Sequence, residues 1–406
     1  MSRTKNILKA TLRDAVIRFG SIRRNRGAPK KALLSFIIHP LLYSNQNHPN
    51  ALELDLILSA LEELGYEVTV IDYRRKHLGG RYDLCIGFGT AFEMAMQRGL
   101  ADAYVLYATG LSFPTQIMAT MTAMARVAAR GEVRRDESAG LVRLPEALWP
   151  MQLAWSDAVL AIGGTYSIRD HETYCSAPII PAPGLCFRRA DHAELRRAKD
   201  FDAARRHFAW FGGPGFSHKG LDLCIDYFLA QPEIDLHIAG AVAIPDAYRR
   251  LVDAAPNIHL VGYLKIGSDA FRTFAERCGF VVLPSISEAM ATSIVTMMVN
   301  GGLVPVVSRQ SAFDLPEGSG IMFDAAAPEG LHGAMQHARG LSAVELAQWS
   351  AAAEDHALKH FTPEVFRAAV IKAVETGIVA ERRIPQTVSG PGSPGVLDTI
   401  SQWIKS

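Results

Sequence analysis

Residues 280–308, FVVLPSISEAMATSIVTMMVNGGLVPVVS, admit one economical reading: strand, tight turn, helix, stop, strand. FVVLP is a short apolar run, β-branched at Val281 and Val282, of the kind that fits a strand buried on both faces. Ser285, Ser287 and Glu288 follow at its carboxyl end. Ser287 is placed as the helix N-cap and Glu288 in the first turn, where a carboxylate suits the positive end of the helix dipole. Gly301 and Gly302 end the helix, and LVPVVS is the next strand. In a parallel α/β sheet, ligands bind at such strand-to-helix corners, because free amide N–H groups point outward there. The stretch is therefore predicted to form one wall of a binding crevice.

The same alternation runs through the chain. ALLSFIIHP (32–40) is the first strand, ALELDLILSALEELG a helix closed by Gly65, and YEVTVIDY the second strand. RYDLCIGFG (81–89), AYVLYATG (103–110), SDAVLAIGG and APIIPAPG continue the series, with helical stretches between them. Residues 30–187 thus read as one doubly wound unit. Residues 188–207 are charged and read as a linker, and Asp200 and Asp202 within it as solvated acids rather than a metal site. A second unit of the same kind spans 208–380, and 381–406 form a Pro/Gly/Ser linker with a short terminal helix. With 406 residues, two domains of roughly 150–200 residues each are the natural division.

Net charge is +1, which argues against nucleic acid as a partner. The five cysteines, 85, 175, 186, 224 and 278, are odd in number, form no CxxC pair and sit in apolar segments. They read as reduced core thiols of a cytoplasmic protein. No run approaches the ~20 apolar residues of a membrane span. Residues 1–31 depart from neutrality, with ten Lys or Arg against one acid, Asp14. Leu8, Leu12, Val16 and Phe19 recur there at helical spacing, without the apolar core of a secretory signal. Three readings stand for this leader (1–29): a basic amphipathic helix lying on the inner face of an anionic membrane, a solvated and poorly ordered segment, or a helix packed on the second domain.

Chemistry concentrates in GGPGFSHKGLDL (212–223), a glycine-rich passage from strand to helix. Gly212, Gly213 and Gly215 let the backbone approach a ligand closely, with Ser217 in the same turn. Lys219 adds a positive charge beside the free N–H groups of a helix N-terminus, which makes a diphosphate site. It is not a Walker loop, since Gly220 follows the lysine. At the first strand, LLYSNQNHPNALE stands where a GxGxxG would be, which disfavours nicotinamide chemistry.

WFGGPGFSHKGLDL, NIHLVGYL and VVLPSISEAMATSIVTMMVNGGLVPVVS, in that order, resemble the nucleotide-sugar half of family 4-like (group 1) glycosyltransferases. The resemblance covers about residues 208–375 well, and the first half in topology and in SNQNHPNALELDLILSALEELGYEV. It implies an α/β GT-B fold, two Rossmann-like doubly wound domains facing across a cleft. It also implies transfer from a nucleoside-diphosphate sugar as co-substrate, with retention and with no metal or other cofactor. Lys219 would contact the diphosphate, and Val261, Gly262 and Tyr263 would border the base. Glu288 would face the transferred sugar, and Ala289, Met290, Ala291, Thr292 and Ser293 would present amides and hydroxyls to the phosphates.

Three positions depart from the family pattern. Thr296 stands where a second glutamate grips the ribose, Pro214 where an arginine is usual, and Ala289-Met290-Ala291 where a Gly-x-Gly is. One lost charged hydrogen bond costs about 1.5–3 kcal/mol. On the acceptor side, Asn47, His48, Asn50 and Glu53 follow the first strand, with His48 as a base or as a capping and loop residue. Tyr107, Thr109 and His171 lie at other strand ends of that unit, and His218 lies beside Lys219. The expected function is a hexosyltransferase of polysaccharide biosynthesis, acting on a glycan or lipid-linked saccharide. A non-catalytic GT-B protein, serving as a sugar-binding or partner subunit, is the alternative that Thr296 and Pro214 keep open.

Overall fold

The computed structural model describes residues 20–38, 49–131, 133–134, 137, 141–142, 150–240, 242–324 and 328–381. Two sheets organise them. The first holds β1 (Ser21–Arg24), β2 (Lys30–Phe36), β3 (Tyr66–Asp72), β4 (Tyr82–Gly87), β5 (Ala101–Ala108), β6 (Ala158–Ile162) and β7 (Ile179–Ala182), in the order β1-β3-β2-β4-β5-β6-β7. All neighbours are parallel except β1, which runs antiparallel to β3 with Ser21 opposite Ile71. Every residue of β6, AVLAI, is buried, as a parallel strand covered on both faces requires. The leader was expected to extend to residue 29, yet residues 21–24 belong to the sheet. Ile22 packs on the core while Arg23 and Arg24 charge the outer strand, which protects a sheet edge from further pairing.

The second sheet holds β8 (His207–Phe211), β9 (Asp235–Ala239), β10 (Ile258–Gly262), β11 (Phe280–Leu283), β12 (Val304–Ser308) and β13 (Ile321–Phe323). Its order is β10-β9-β8-β11-β12-β13 and every pair is parallel. Numbered from β8, that order is 3-2-1-4-5-6, so the winding reverses between β8 and β11. Phe208 and Phe280 stack across this junction at 4.7 Å and lock the two central strands together. In the first sheet the winding reverses between β2 and β4. Helices flank both sheets: in the first, α1 (Pro49–Glu63), α2 (Gly89–Gln97), α3 (Phe113–Arg130), α4 (Pro150–Ala154) and α5 (Thr165–Glu172). Between the sheets lie α6 (His192–Arg197) and α7 (Phe201–Ala204). The second unit adds α8 (Leu221–Leu229), α9 (Asp246–Ala254), α10 (Asp269–Arg277), α11 (Thr292–Val299), α12 (Pro328–Gly340) and α13 (Ala343–His360).

The last described helix, α14 (Pro363–Glu381), falls in the span expected of the second unit but packs on α1 and on β5, β6 and β7 of the first. Gly377 permits this contact, since a Cβ there would stand 2.9 Å from Val105 Cγ2. The expected linker is also ordered. Asp200 caps α7 by accepting from the Asp202 and Ala203 amides at 3.0 and 3.2 Å, and Asp202 pairs with Arg205 at 3.2 Å. The DxD is thus a capping device.

The turn after β11 differs from its sequence reading. Ser287 does not cap a helix and Glu288 is not in a first turn: α11 starts at Thr292 with Ala291 as its N-cap. The Ile286 amide and the Ser285 hydroxyl both donate to the His218 carbonyl at 3.0 Å, and the Glu288 amide donates to Gln310 O at 2.9 Å. These tertiary bonds hold 285–288 as a loop and delay the helix by four residues.

Candidate functional site

The winding reversal of the second sheet brings two loops together. After β8, Gly212 to Gly220 lead into α8; after β11, Ser285 to Ala291 lead into α11. Gly220 is the N-cap of α8, in the left-handed region at φ 65°, and a Cβ there would stand 2.2 Å from the Pro284 carbonyl. Only glycine lets the loops meet this closely. Their meeting sets Lys219 Nζ against Glu288 Oε1 as an ion pair, with His218 Nε2 3.7 Å from the same oxygen. All three side chains are nearly buried. Ser217 Oγ and Ser287 Oγ are buried beside them with no hydrogen-bond partner among the described residues.

Lys219 and Glu288 line a cavity of about 850 Å³. Its opposite wall comes from the carboxyl ends of β2, β4 and β5, with Phe36, Tyr73, Phe88 and Tyr107 as an aromatic floor. Phe36 and Tyr107 stack at 5.8 Å, and Phe36 and Phe88 meet edge-on at 5.6 Å.

Three buried titratable groups occupy that wall. Tyr107 Oη donates to Glu53 Oε2 at 2.9 Å, and both residues are buried. Burial pushes the Glu53 carboxyl up to about 7, against a smaller lowering by the Tyr107 hydrogen bond. Burial, then the neighbouring Glu53, holds the Tyr107 phenol well above its ordinary value. His171, also buried, places Nδ1 2.7 Å from the Ser167 carbonyl. A carbonyl only accepts, so Nδ1 is the donating nitrogen and Nε2 is the one left to other partners.

The two walls are tied directly. Arg126 of α3 donates to Asp222 of α8 at 2.9 and 3.2 Å. The Thr165 amide and hydroxyl donate to Asp314 at 2.8 and 3.0 Å, and the Gly164 amide donates to Ala312 O at 2.8 Å.

No protein-family model matches the chain, and no curated protein matches its sequence. Solved structures do match. The chain superposes on sucrose-phosphate synthase from Thermosynechococcus elongatus with a TM-score of 0.58 at 13% identity, over 86% of this chain and 99% of that one. HepE (Alr3699) of Anabaena, solved with UDP-glucose, matches with a TM-score of 0.52 at 13% identity, over 86% of this chain and 100% of that one. TarM of S. aureus, solved with UDP among its ligands, matches at 0.48 and 12% identity over 73% of this chain, which spans 55% of TarM's length. The fold is GT-B. These neighbours are glycosyltransferases, and at such identities the likeness bears on the fold alone.

Within the GT-B frame, the cavity gathers Asn50, Glu53, Tyr107, Thr109 and His171 from the first half. From the second it gathers Gly213, Lys219, Glu288, Ala289, Met290, Ala291, Thr292 and Ser293. Pro214 lines it too, in the place where an arginine was expected. Asn47 and His48 lie outside the described residues. Gly212, Gly215 and Ser217 build the loop behind Lys219 rather than line the cavity. Val261, Gly262 and Tyr263 sit at the carboxyl end of β10, with Val261 and Tyr263 exposed and the Gly262 carbonyl accepting from the Gly240 amide at 2.8 Å. Thr296 does not reach the cavity: it is buried in α11 and its hydroxyl donates to Thr292 O at 2.7 Å. Thr296, which the family pattern places where a second glutamate grips the ribose, thus has its hydroxyl committed within its own helix.

Sequence reading missed Gln116 and Gln152, both at the cavity wall. Gln152 exchanges two hydrogen bonds with the Gly89 backbone at 3.0 and 3.1 Å, which fixes the end of β4. No motif marks either residue. Among the described residues no helix is long and apolar enough to cross a membrane.

Proposed function

We propose that this chain is a family 4-like glycosyltransferase, moving a hexose-like sugar from a nucleoside-diphosphate sugar to a hydroxyl of a glycan or lipid-linked saccharide. The observation that supports this most is the Lys219–Glu288 pair at the winding reversal of the second sheet, facing a cavity walled by the first. In this structure Glu288 is the counter-charge of Lys219. A bound diphosphate would take over that role, joined by the amides at the start of α11 and the Thr292 and Ser293 hydroxyls. Glu288 would then turn to the hydroxyls of the transferred sugar.

In the reaction, the bond from the anomeric carbon to the β-phosphate oxygen breaks and its electron pair leaves with the diphosphate. Lys219 and the helix N-termini stabilise that developing charge, so the proposal calls for no metal at this site. The acceptor oxygen bonds to the anomeric carbon as its proton is lost. With retention, which is also part of the proposal, the departing phosphate oxygen takes that proton. With inversion, Glu53 or His171 Nε2 on the acceptor wall would take it. The basic leader supports peripheral contact with a membrane carrying the acceptor, though residues 1–19 lie outside the described part.

A second reading, a non-catalytic sugar-binding GT-B protein, is favoured by one observation: the Thr296 hydroxyl is committed to Thr292 O, and proline stands at cavity position 214 where the family pattern has an arginine. Thermal-shift and donor-hydrolysis assays on UDP-, GDP- and dTDP-sugars, with and without magnesium, separate the two. The enzyme reading expects stabilisation and slow hydrolysis with at least one donor, and a loss of about 100-fold or more in turnover for Lys219→Ala, the scale of removing one preorganised charge contact. Stabilisation without turnover would leave the binding protein. No response to any donor, with Lys219→Ala indistinguishable from wild type, would sink both.

A further inference from the structure

At the amino-terminal end of the second sheet, opposite the cavity, three histidines and an aspartate meet on one face. His207 opens β8, Asp235 opens β9 beside it, and His237 and His259 face each other on β9 and β10. His207 Nδ1 stands 3.1 Å from His237 Nε2 and 3.6 Å from Asp235 Oδ2. The ligand atoms of His207, Asp235 and His237 all lie within 4.8 Å of one another. His259 Nε2 sits 2.6 Å from the other carboxylate oxygen, Asp235 Oδ1, and its ring stacks on His237 at 4.7 Å.

We propose that His207, Asp235 and His237 bind one divalent transition-metal ion of the zinc class, with water as the fourth ligand and His259 orienting Asp235 from behind. Four-coordinate zinc with Zn–N of about 2.0–2.1 Å spaces its ligand atoms roughly 3.3 Å apart. Two of the three spacings here already lie near that value. Two imidazoles and one carboxylate suit zinc, nickel or copper, whereas magnesium and calcium take oxygen ligands. A ligating carboxylate is itself usually hydrogen-bonded, and the His259 N–H does this for Asp235. His237 is buried, and burial drives it toward the neutral form a metal ligand needs.

The Arg206 and Arg277 guanidiniums act on His207 against a cation, and Asp235 is the negative charge that offsets them. A metal-free arrangement would instead share one proton between His207 and His237 and leave His259 donating to Asp235. The two arrangements differ in what they bind. A metal here would staple β8 to β9, and β10 through His259, on the order of 15–20 Å from Lys219 by strand rise. It has no part in the transfer chemistry.

The test uses the full chain without an affinity tag, stripped with chelator and titrated with Zn²⁺ by calorimetry and with Co²⁺ by visible absorption. One ion per chain is expected, with the intense d–d bands of four-coordinate cobalt and a higher melting temperature in the loaded form. His207→Ala, at a partly exposed position, should abolish the bands and the stoichiometric binding, as should His237→Gln. His259→Ala should weaken binding about 10- to 100-fold, as removal of a group that orients a ligand does. Lys219→Ala should bind as wild type. Absence of stoichiometric binding, or cobalt bands unchanged in His207→Ala, would overturn the proposal whatever the stability of the His237 variant.

Discussion

Glu53 shows how far a residue's type falls short of its chemistry. The sequence places it near the end of the first strand, but its proton depends on a phenol 54 positions away and on burial that no local pattern encodes. The folded chain holds that proton up to about pH 7, whereas an unfolded Glu loses it near 4.5. Between those values the folded state binds more protons, so stability falls as pH rises, by about 3 kcal/mol in total. Glu53→Gln removes this slope while an amide oxygen remains to accept from Tyr107. Urea unfolding at about pH 8 should show the variant more stable than wild type by about 1–3 kcal/mol, and the two should converge below about pH 4.5. Parallel curves at both values would mean that Glu53 ionises normally. Lys219 and Glu288 were legible because glycines and strand ends announce them. The setting of Thr296 was less legible, because its hydroxyl turns back on Thr292 O within a helix that begins four residues later than Ser287 implied.

At the scale of elements, the alternation of apolar runs and helical repeats gave both sheets, since parallel strands buried on two faces leave continuous hydrophobic signatures. Turns were less legible, because long-range bonds decide them: the loop 285–288 is held by His218 and Gln310, not by its own sequence. The same contact yields a paired prediction. Gly220→Ala forces an L residue into the left-handed region and drives its Cβ into the Pro284 carbonyl. It should cost about 3 kcal/mol or more, and misplace Lys219. Gly213→Ala, whose Cβ would meet open space, should stay within about 1 kcal/mol of wild type and alter donor affinity instead. Denaturant unfolding of the two variants side by side checks this, and equal losses would show that loop contact is not the determinant.

At the scale of the whole molecule, the two halves are joined by contacts that no single stretch could reveal. Helix α14 returns to the first sheet, and Arg126 reaches across to Asp222, 96 positions away. Asp222 is fully buried, and burial raises its carboxyl pKa despite the guanidinium, so its ionised form depends on that partner. Because Asp222 lies three residues past Lys219 on α8, the pair also fixes the donor loop against the first half. Arg126→Met should therefore cost about 2–3 kcal/mol, at the low end for a broken buried pair because a quarter of Arg126 is solvent-exposed. Adding Asp222→Asn should restore more than half of that loss, since no buried charge is then left unpaired. A double-mutant cycle by urea unfolding measures the coupling, with donor KM followed in parallel. Strict additivity in the cycle would place Arg126 among ordinary surface cations and leave the alignment of the halves to their other contacts, the Thr165–Asp314 and Gly164–Ala312 bonds and the Ser217 and His218 amides on Leu141 O among them.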